Sequence, residues 1–444
     1  MKKKAASGAI IFLVILLAGC GSLPFNKSNS GSLNSGIAAD TKAKITLTLW
    51  HPFAGMDLRS VTIRNIFDKF QADNPNIVID IQAIPHDGYR SRLKTIAAAN
   101  ELPDMFIIWP GVMTQEFVGG GLIQPVDDLI DHNKAWKDGF LPDSFDDFTV
   151  ADKIYSIPTG LSPTSILYYN KKILDQYALQ VPKTWEELIS AIEVLKKNKI
   201  TPIALGNKAA WPAQSSILSS LADRITGSNW LLNAAAGKGN KFTDPVFIDA
   251  LKHLQQLQTT GAFQEGFNGI DTTEAVQLFA KGEAAMLIDG GWALPLLAAN
   301  ASKEVLDTMD VTGLPSIIGG KGVPNSISSI VGTGLALNKN VTGAQKEAAY
   351  KLMYAIAGPD AQKQYIDNSQ LVSYKVEPDV TKVSSLFIKV ITLLSKVEKS
   401  PVYDCVLSSD TADVMNNSLQ GLLIGQKPED VARKIQEALD KSLK

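Results

Sequence analysis

Lys44-Ile45-Thr46-Leu47-Thr48-Leu49-Trp50 ("KITLTLW") alternates apolar and polar residues, the period of a half-buried strand. The next sixty residues decide the fold. Leu58 to Gln71 carries Val61, Ile66, Phe67 and Phe70 at helical spacing, and Ile77 to Ile84 alternates again. Tyr89 to Ala99 reads as a helix, and Met105 to Trp109 as a short buried strand. Strand, helix, strand, helix, strand in that order predicts a mostly parallel sheet with helices on its faces.

A second set begins after Val150. Ile154 to Pro158, Ile166 to Tyr169, Ala284 to Ile288, Val311 to Leu314 and Thr333 to Leu337 read as strands. Thr184 with Glu187 forms a capping-box pattern that opens a helix. Pro245, after Asp244, stands where proline fits the first helical turn. From Ala344 onward the chain reads as helical: 344–357, 359–367, 384–396, 410–423 and 428–443. The fold class is therefore α/β with two sheet-containing lobes. Open sheets of this kind bind ligands beyond the carboxyl ends of their strands, and two of them face to face make a cleft.

The first residues obey a different logic. Lys2, Lys3 and Lys4 precede an apolar run from Ile10 to Leu17 that ends in Leu17-Ala18-Gly19-Cys20. The run is too short to span a bilayer, which takes about 20 apolar residues, and has the layout of a secretory signal. Its end resembles a bacterial lipobox, which implies cleavage after residue 19 and diacylglycerol on the Cys20 thiol. Residues 20–43 then read as a lipidated cysteine and a Ser/Gly/Asn-rich tether. Removing residues 1–19 takes away three lysines and no acids, so the formal charge moves from −2 to −5. A mildly acidic chain without a Lys/Arg block argues against nucleic acid as a partner. Cys405 is the one cysteine after Cys20, so an intramolecular disulfide within the mature chain is ruled out.

Motifs for catalysis are poor. The histidines His51, His86, His132 and His253 are scattered, without metal-ligand spacing. Gly119-Gly120-Gly121 is not followed by Lys-Ser/Thr, so it is no phosphate loop. What stands out is tryptophan at strand ends or in loops: Trp50 with His51 behind it, Trp109 before Pro110, Trp211 before Pro212, and Trp292 after Asp289-Gly290-Gly291. A sugar ring has an apolar C–H face that suits an indole and a hydroxyl rim that suits carboxylates and amides. Trp185 and Trp230 lie on helical stretches and read as core.

Taken together, these pieces resemble the bacterial extracellular solute-binding proteins that include maltose-binding protein and many sugar-binding lipoproteins. The carrying stretches are "FDKFQADNP" (67–75), Pro103-Asp104-Met105-Phe106, Gly121 to Val126, Ile154 to Pro158, Leu167 to Lys171, Pro182 to Leu188 and "FAKGEAAMLIDGGW" (279–292). The resemblance implies a two-lobed type II binding-protein fold that captures a sugar or oligosaccharide by lobe closure. It implies delivery to the permease subunits of an ABC importer, from a monomer lipid-anchored on the outer face of the cell membrane. It implies no cofactor, no metal and no chemistry on the ligand. It places one lobe at 44–152 plus 308–343 and the other at 153–307 plus 344–444. Its implied ligand-binding residues are Trp50, His51, Trp109, Trp211, Asp289 and Trp292. Relatives often carry a further aromatic near Ser408 to Asp410, for which Tyr403 is the nearest candidate here. Competing readings are a binding protein for a metal (through Tyr168-Tyr169) or peptide, a surface-attached glycosidase, and an adhesion protein. Strand alternation would send the Tyr168 and Tyr169 rings to opposite faces, which disfavours the metal.

Overall fold

The computed structural model describes residues 44–444. The signal segment, Cys20 and the tether lie outside the described residues. The fold is two-lobed α/β. The first sheet runs in the order Ile77–Ala83, Ile45–His51, Met105–Ile108, Gly334–Leu337, Ser156–Pro158. Its first three strands are parallel, joined by the Leu58–Asp73 and His86–Ala98 helices. Gly334–Leu337 is antiparallel to both its neighbours. The second sheet runs Met309–Gly313, Ile166–Asn170, Ala284–Asp289, Thr201–Ala204, with Ile166–Asn170 antiparallel to the strands on either side. Both sheets are thus mixed, because strands that cross from one lobe to the other enter against the local direction.

A third, three-stranded sheet stands where the chain crosses: Glu398–Ser400, Ser326–Ile330 and Ser162–Pro163. The strands on either side of it divide between the two larger sheets. Ser156–Pro158 precedes the first crossing and pairs into the first sheet. Met309–Gly313 precedes the second crossing and pairs with Ile166–Asn170 in the second sheet. The Gly343–Ala357 helix packs on Ile45–His51 and on the Leu58–Asp73 helix of the first lobe.

Local chemistry sets the helix starts. The Thr184 side chain accepts from Glu187 N at 3.3 Å, and Glu187 Oε2 accepts from Thr184 N at 3.3 Å, the reciprocal box expected there. Asp271 and Glu274 make a second such box before the Thr272–Ala280 helix. Apolar strand residues divide by face. Tyr168, Leu287 and Met309 join the core that continues from the first sheet, whereas Leu167, Met286 and Ile288 join the second core. Tyr168 and Tyr169 accordingly pack against different cores, as the alternation predicts. No helix among the described residues is long and apolar enough to cross a membrane.

Candidate functional site

The carboxyl ends of both sheets meet, and aromatic rings line the meeting. Trp109 follows the Met105–Ile108 strand. Its ring centroid lies 5.7 Å from His86, edge-on, and 5.9 Å from Tyr89. His86 opens the helix that follows the Ile77–Ala83 strand, so it too stands at a strand's carboxyl end. The His86 ring meets Trp211 of the second lobe at 5.3 Å, and Trp211 meets Trp292 at 5.5 Å, both edge-on. Trp109, His86, Trp211 and Trp292 are thus one continuous aromatic chain that passes from one lobe to the other. Trp211 Nε1 also donates to Asp87 Oδ1 at 3.2 Å, a direct hydrogen bond across the cleft. The lobes are closed on each other.

Two carboxylates flank this chain in different states. Asp289 ends its strand 4% exposed. Ser216 Oγ (3.3 Å) and Gly290 N (2.8 Å) donate to its Oδ1. Burial pushes its pKa up to about 7; those two donors and the Trp292 indole pull the other way, and the Asp87 charge adds to the rise. Trp292 Nε1 is enclosed without a partner at normal hydrogen-bonding geometry, so its pull on Asp289 is that of a nearby dipole. Burial also acts against ionised Asp87, but the His86 ring 3.7 Å away, the hydrogen bond from Trp211 and the Lys208 charge hold its pKa below the usual value.

Of the residues expected in the site, Trp109, Trp211, Asp289 and Trp292 come together. Trp50 is half-buried at its strand's end, with the Arg92 guanidinium 4.9 Å from its ring and its carbonyl taken by Tyr89 Oη. His51 and Tyr403 lie apart from this group. His51 is 2% exposed, its ring packed against Phe53 (5.6 Å) and Phe67 (5.5 Å), and its Nδ1 accepts from Phe53 N. Burial, then Arg59 and Arg64, drive its pKa down to about 4, which makes it a neutral core histidine. Tyr403 is 1% exposed between Phe242 (6.4 Å) and Phe247 (6.2 Å) in the second lobe's core. His86 and Asp87 were missed. Their signal was the one that singled out the tryptophans, a position at the end of a strand, here just past Ile84-Pro85.

A separate cavity of about 770 Å³ lies on the outer side of the first lobe, lined among others by Phe70, Tyr350 and Gln364. None of the expected site residues reaches it. Among the described residues no group of three or more His, Cys, Asp or Glu is placed to hold a metal ion.

The sequence profile of one family, described as bacterial extracellular solute-binding protein, matches residues 58–363. The chain belongs to that family. A multiple sugar-binding protein of Streptococcus mutans serotype c is 28% identical over 386 residues, 85% of this chain and 84% of the relative. A solved structure from work on xylan utilization by the thermophilic bacterium Caldanaerobius polysaccharolyticus is 32% identical, with a TM-score of 0.81 over 88% of this chain and 99% of that one. A chitin oligosaccharide binding protein is 25% identical, with a TM-score of 0.83 over 89% and 99%. In this chain the aromatic rings and the Asp87 and Asp289 carboxylates lie where the two lobes meet.

Proposed function

We propose that this solute-binding protein captures a sugar or oligosaccharide between its lobes and passes it, unaltered, to the membrane permease of an ABC importer. The observation that carries the reading is the aromatic chain from Trp109 through His86 and Trp211 to Trp292, which draws on both lobes. An indole offers a flat apolar face for the C–H side of a sugar ring, while Asp87, Asp289 and His86 offer acceptors for its hydroxyls. Ligand favours closure only through contacts that exist in the closed form, and residues gathered from both lobes are such contacts. The relatives' names point the same way, to several sugars and oligosaccharides. In this reading the first lobe is built on the sheet that holds Ile45–His51 and the second on the sheet that holds Ala284–Asp289. Cys20 carries the lipid that keeps a monomeric receptor beside its permease.

Thermal melts of residues 44–444 test this against a panel of xylo-, chito- and malto-oligosaccharides, raffinose-type sugars and single hexoses. A ligand at about 100 times its Kd adds about 2.7 kcal/mol of stability, an easily read rise in midpoint. One class of sugar should raise it and stay chemically intact. No rise with any sugar, or consumption of the sugar, would overturn the reading. Mass spectrometry of membrane-extracted protein tests the anchor: a diacylated Cys20 at the amino terminus is the expected result.

A further inference from the structure

We infer that Arg90, Lys94 and Glu116 of the first lobe form an electrostatic latch with residues 404–413 of the second, holding the lobes together beside the cleft without contact to ligand. The inference rests on the lobe-closure reading above.

Arg90 and Lys94 are one turn apart on the His86–Ala98 helix, a spacing that puts both on one face. Arg90 Nη1 donates to Asp404 Oδ2 at 2.8 Å, and Nη2 donates to the Asp404 carbonyl at 3.2 Å. Lys94 Nζ reaches Asp413 at 2.8 Å and Asp410 at 3.3 Å. Glu116, on the next helix of the same lobe, accepts from Ser409 N at 2.9 Å and from Ser409 Oγ at 2.5 Å. Ser409 opens the Ser409–Leu423 helix, whose free N–H groups and dipole favour an anion. Two cations and an anion thus meet three acids and a helix start, each contact complementary in sign. The receiving segment is second-lobe structure, since Tyr403, Leu407 and Met415 belong to that core. Backbone shape completes the fit: Gly111 lies against the Cys405 carbonyl so closely that a Cβ would collide with it.

Exposure decides which contact matters most. The Arg90 and Asp404 side chains are 19% and 10% exposed, so their charges have lost most of their water. Exposed ion pairs contribute little, and Asp410 at 95% exposed is such a partner. Removing one member of a desolvated pair, by contrast, leaves the other charge unpaired. Arg90 also lies 5.7 Å from the Trp109 ring. It therefore positions a cleft wall as well as tying down the opposite lobe. The consequence is a closed form that is populated without ligand and that salt weakens in part, through the more exposed Lys94 contacts.

Small-angle X-ray scattering of unliganded residues 44–444 tests the latch at about 20 mM and about 500 mM NaCl, concentrations that span weak to strong screening. The wild type should shift part-way to a larger radius of gyration at high salt, since the Lys94 contacts are screened and the desolvated Arg90–Asp404 pair much less. Asp404→Asn and Arg90→Gln should already have the larger radius at low salt and respond little to more. The double variant should add little to either. Circular dichroism establishes that each variant is folded. If Asp404→Asn does not fold, Lys94→Gln, one turn along the same face and more exposed, carries the test and should reduce the salt response part-way. Folded variants with the wild-type radius and salt response would overturn the latch. No sugar enters this experiment, so its failure leaves the sugar reading standing, and an absence of sugar binding leaves the latch measurable.

Discussion

Two aromatic clusters of this protein use the same residue types for opposite ends. In the second lobe's core, Trp230 stacks on Phe247 at 5.3 Å and 3° between planes, with Phe242 and Tyr403 closing the group. In the cleft, Trp109, His86, Trp211 and Trp292 touch only by edges. The core rings come from one lobe and are surrounded by apolar neighbours. The cleft rings come from both lobes and keep polar company in Asp87, Asp289 and Arg90. What separates the two clusters is which elements supply the rings and what borders them, rather than the rings or their burial.

The greatest loss should come from the core side. Phe247→Ala removes a fully buried ring from a stacked group and should destabilise the protein by about 3–5 kcal/mol, measured by urea unfolding of residues 44–444. Trp292→Ala, at the cleft, should abolish the sugar-induced rise in melting midpoint while its own unliganded midpoint moves far less. If Trp292→Ala lost as much stability as Phe247→Ala and still bound sugar, the two clusters would not differ in kind. Next in size comes Trp211→Phe, which keeps an aromatic face but deletes the indole donor to Asp87. A charge-assisted hydrogen bond contributes about 1.5–3 kcal/mol, so sugar affinity should fall by about 10- to 100-fold by calorimetry. An unchanged affinity would take the Asp87 bridge out of closure.

Titration offers a second comparison of core with cleft, between His51 in the first lobe's core and Asp289. His51 in the core has a folded pKa of about 4 against 6.5 unfolded. Below pH 6.5 the unfolded chain therefore binds more protons than the folded one, and stability falls with acid until about pH 4. Asp289 at the cleft has a folded pKa of about 7 against 3.8. Between those values the folded chain binds more protons, so this group raises stability as pH falls. Each slope can reach about 1.4 kcal/mol per pH unit, and between about pH 4 and 6.5 they oppose. Asp289→Asn should expose the histidine alone, with stability falling more steeply from pH 6.5 to pH 4.5 than in the wild type. Identical curves would mean that Asp289 ionises normally.

How much of this was legible in the sequence depends on whether a feature is local. Strand alternation from Ile45 to Leu49, helical spacing from Leu58, and the Thr184–Glu187 box are local, and all three reappear. Pairing is not local. Val311 to Leu314 reads as an apolar strand whichever sheet it joins, so its place beside Ile166–Asn170 had no signature. Adjacent Trp50 and His51 could not both face the cleft, because successive side chains of a strand point to opposite faces. That rule was available, and it sends His51 into the core against Phe67. Nearness to Ser408 said nothing about the direction of Tyr403. The latch pairs residues about 300 positions apart, Arg90 with Asp404 and Glu116 with Ser409, and such pairs carry no mark in a single chain.

Tyr403 should respond least to substitution, and it tests the distinction between the clusters most directly. Its hydroxyl is enclosed without a hydrogen-bond partner, and burial pushes its pKa well above the ordinary tyrosine value. A buried polar group without a partner costs about 1–3 kcal/mol in lost hydration, whereas the ring itself stabilises the core through its packing on Phe247. Tyr403→Phe keeps the ring and deletes the stranded oxygen. Stability should hold or rise by up to about 1 kcal/mol, and sugar affinity should not change. A loss of affinity with stability intact would return Tyr403 to the cleft and make the core cluster a second wall of the site. A loss of stability would mean that the hydroxyl has a partner in solution, and the cluster would then be less apolar than its rings suggest. Unchanged binding with equal or greater stability leaves recognition to the rings that both lobes supply.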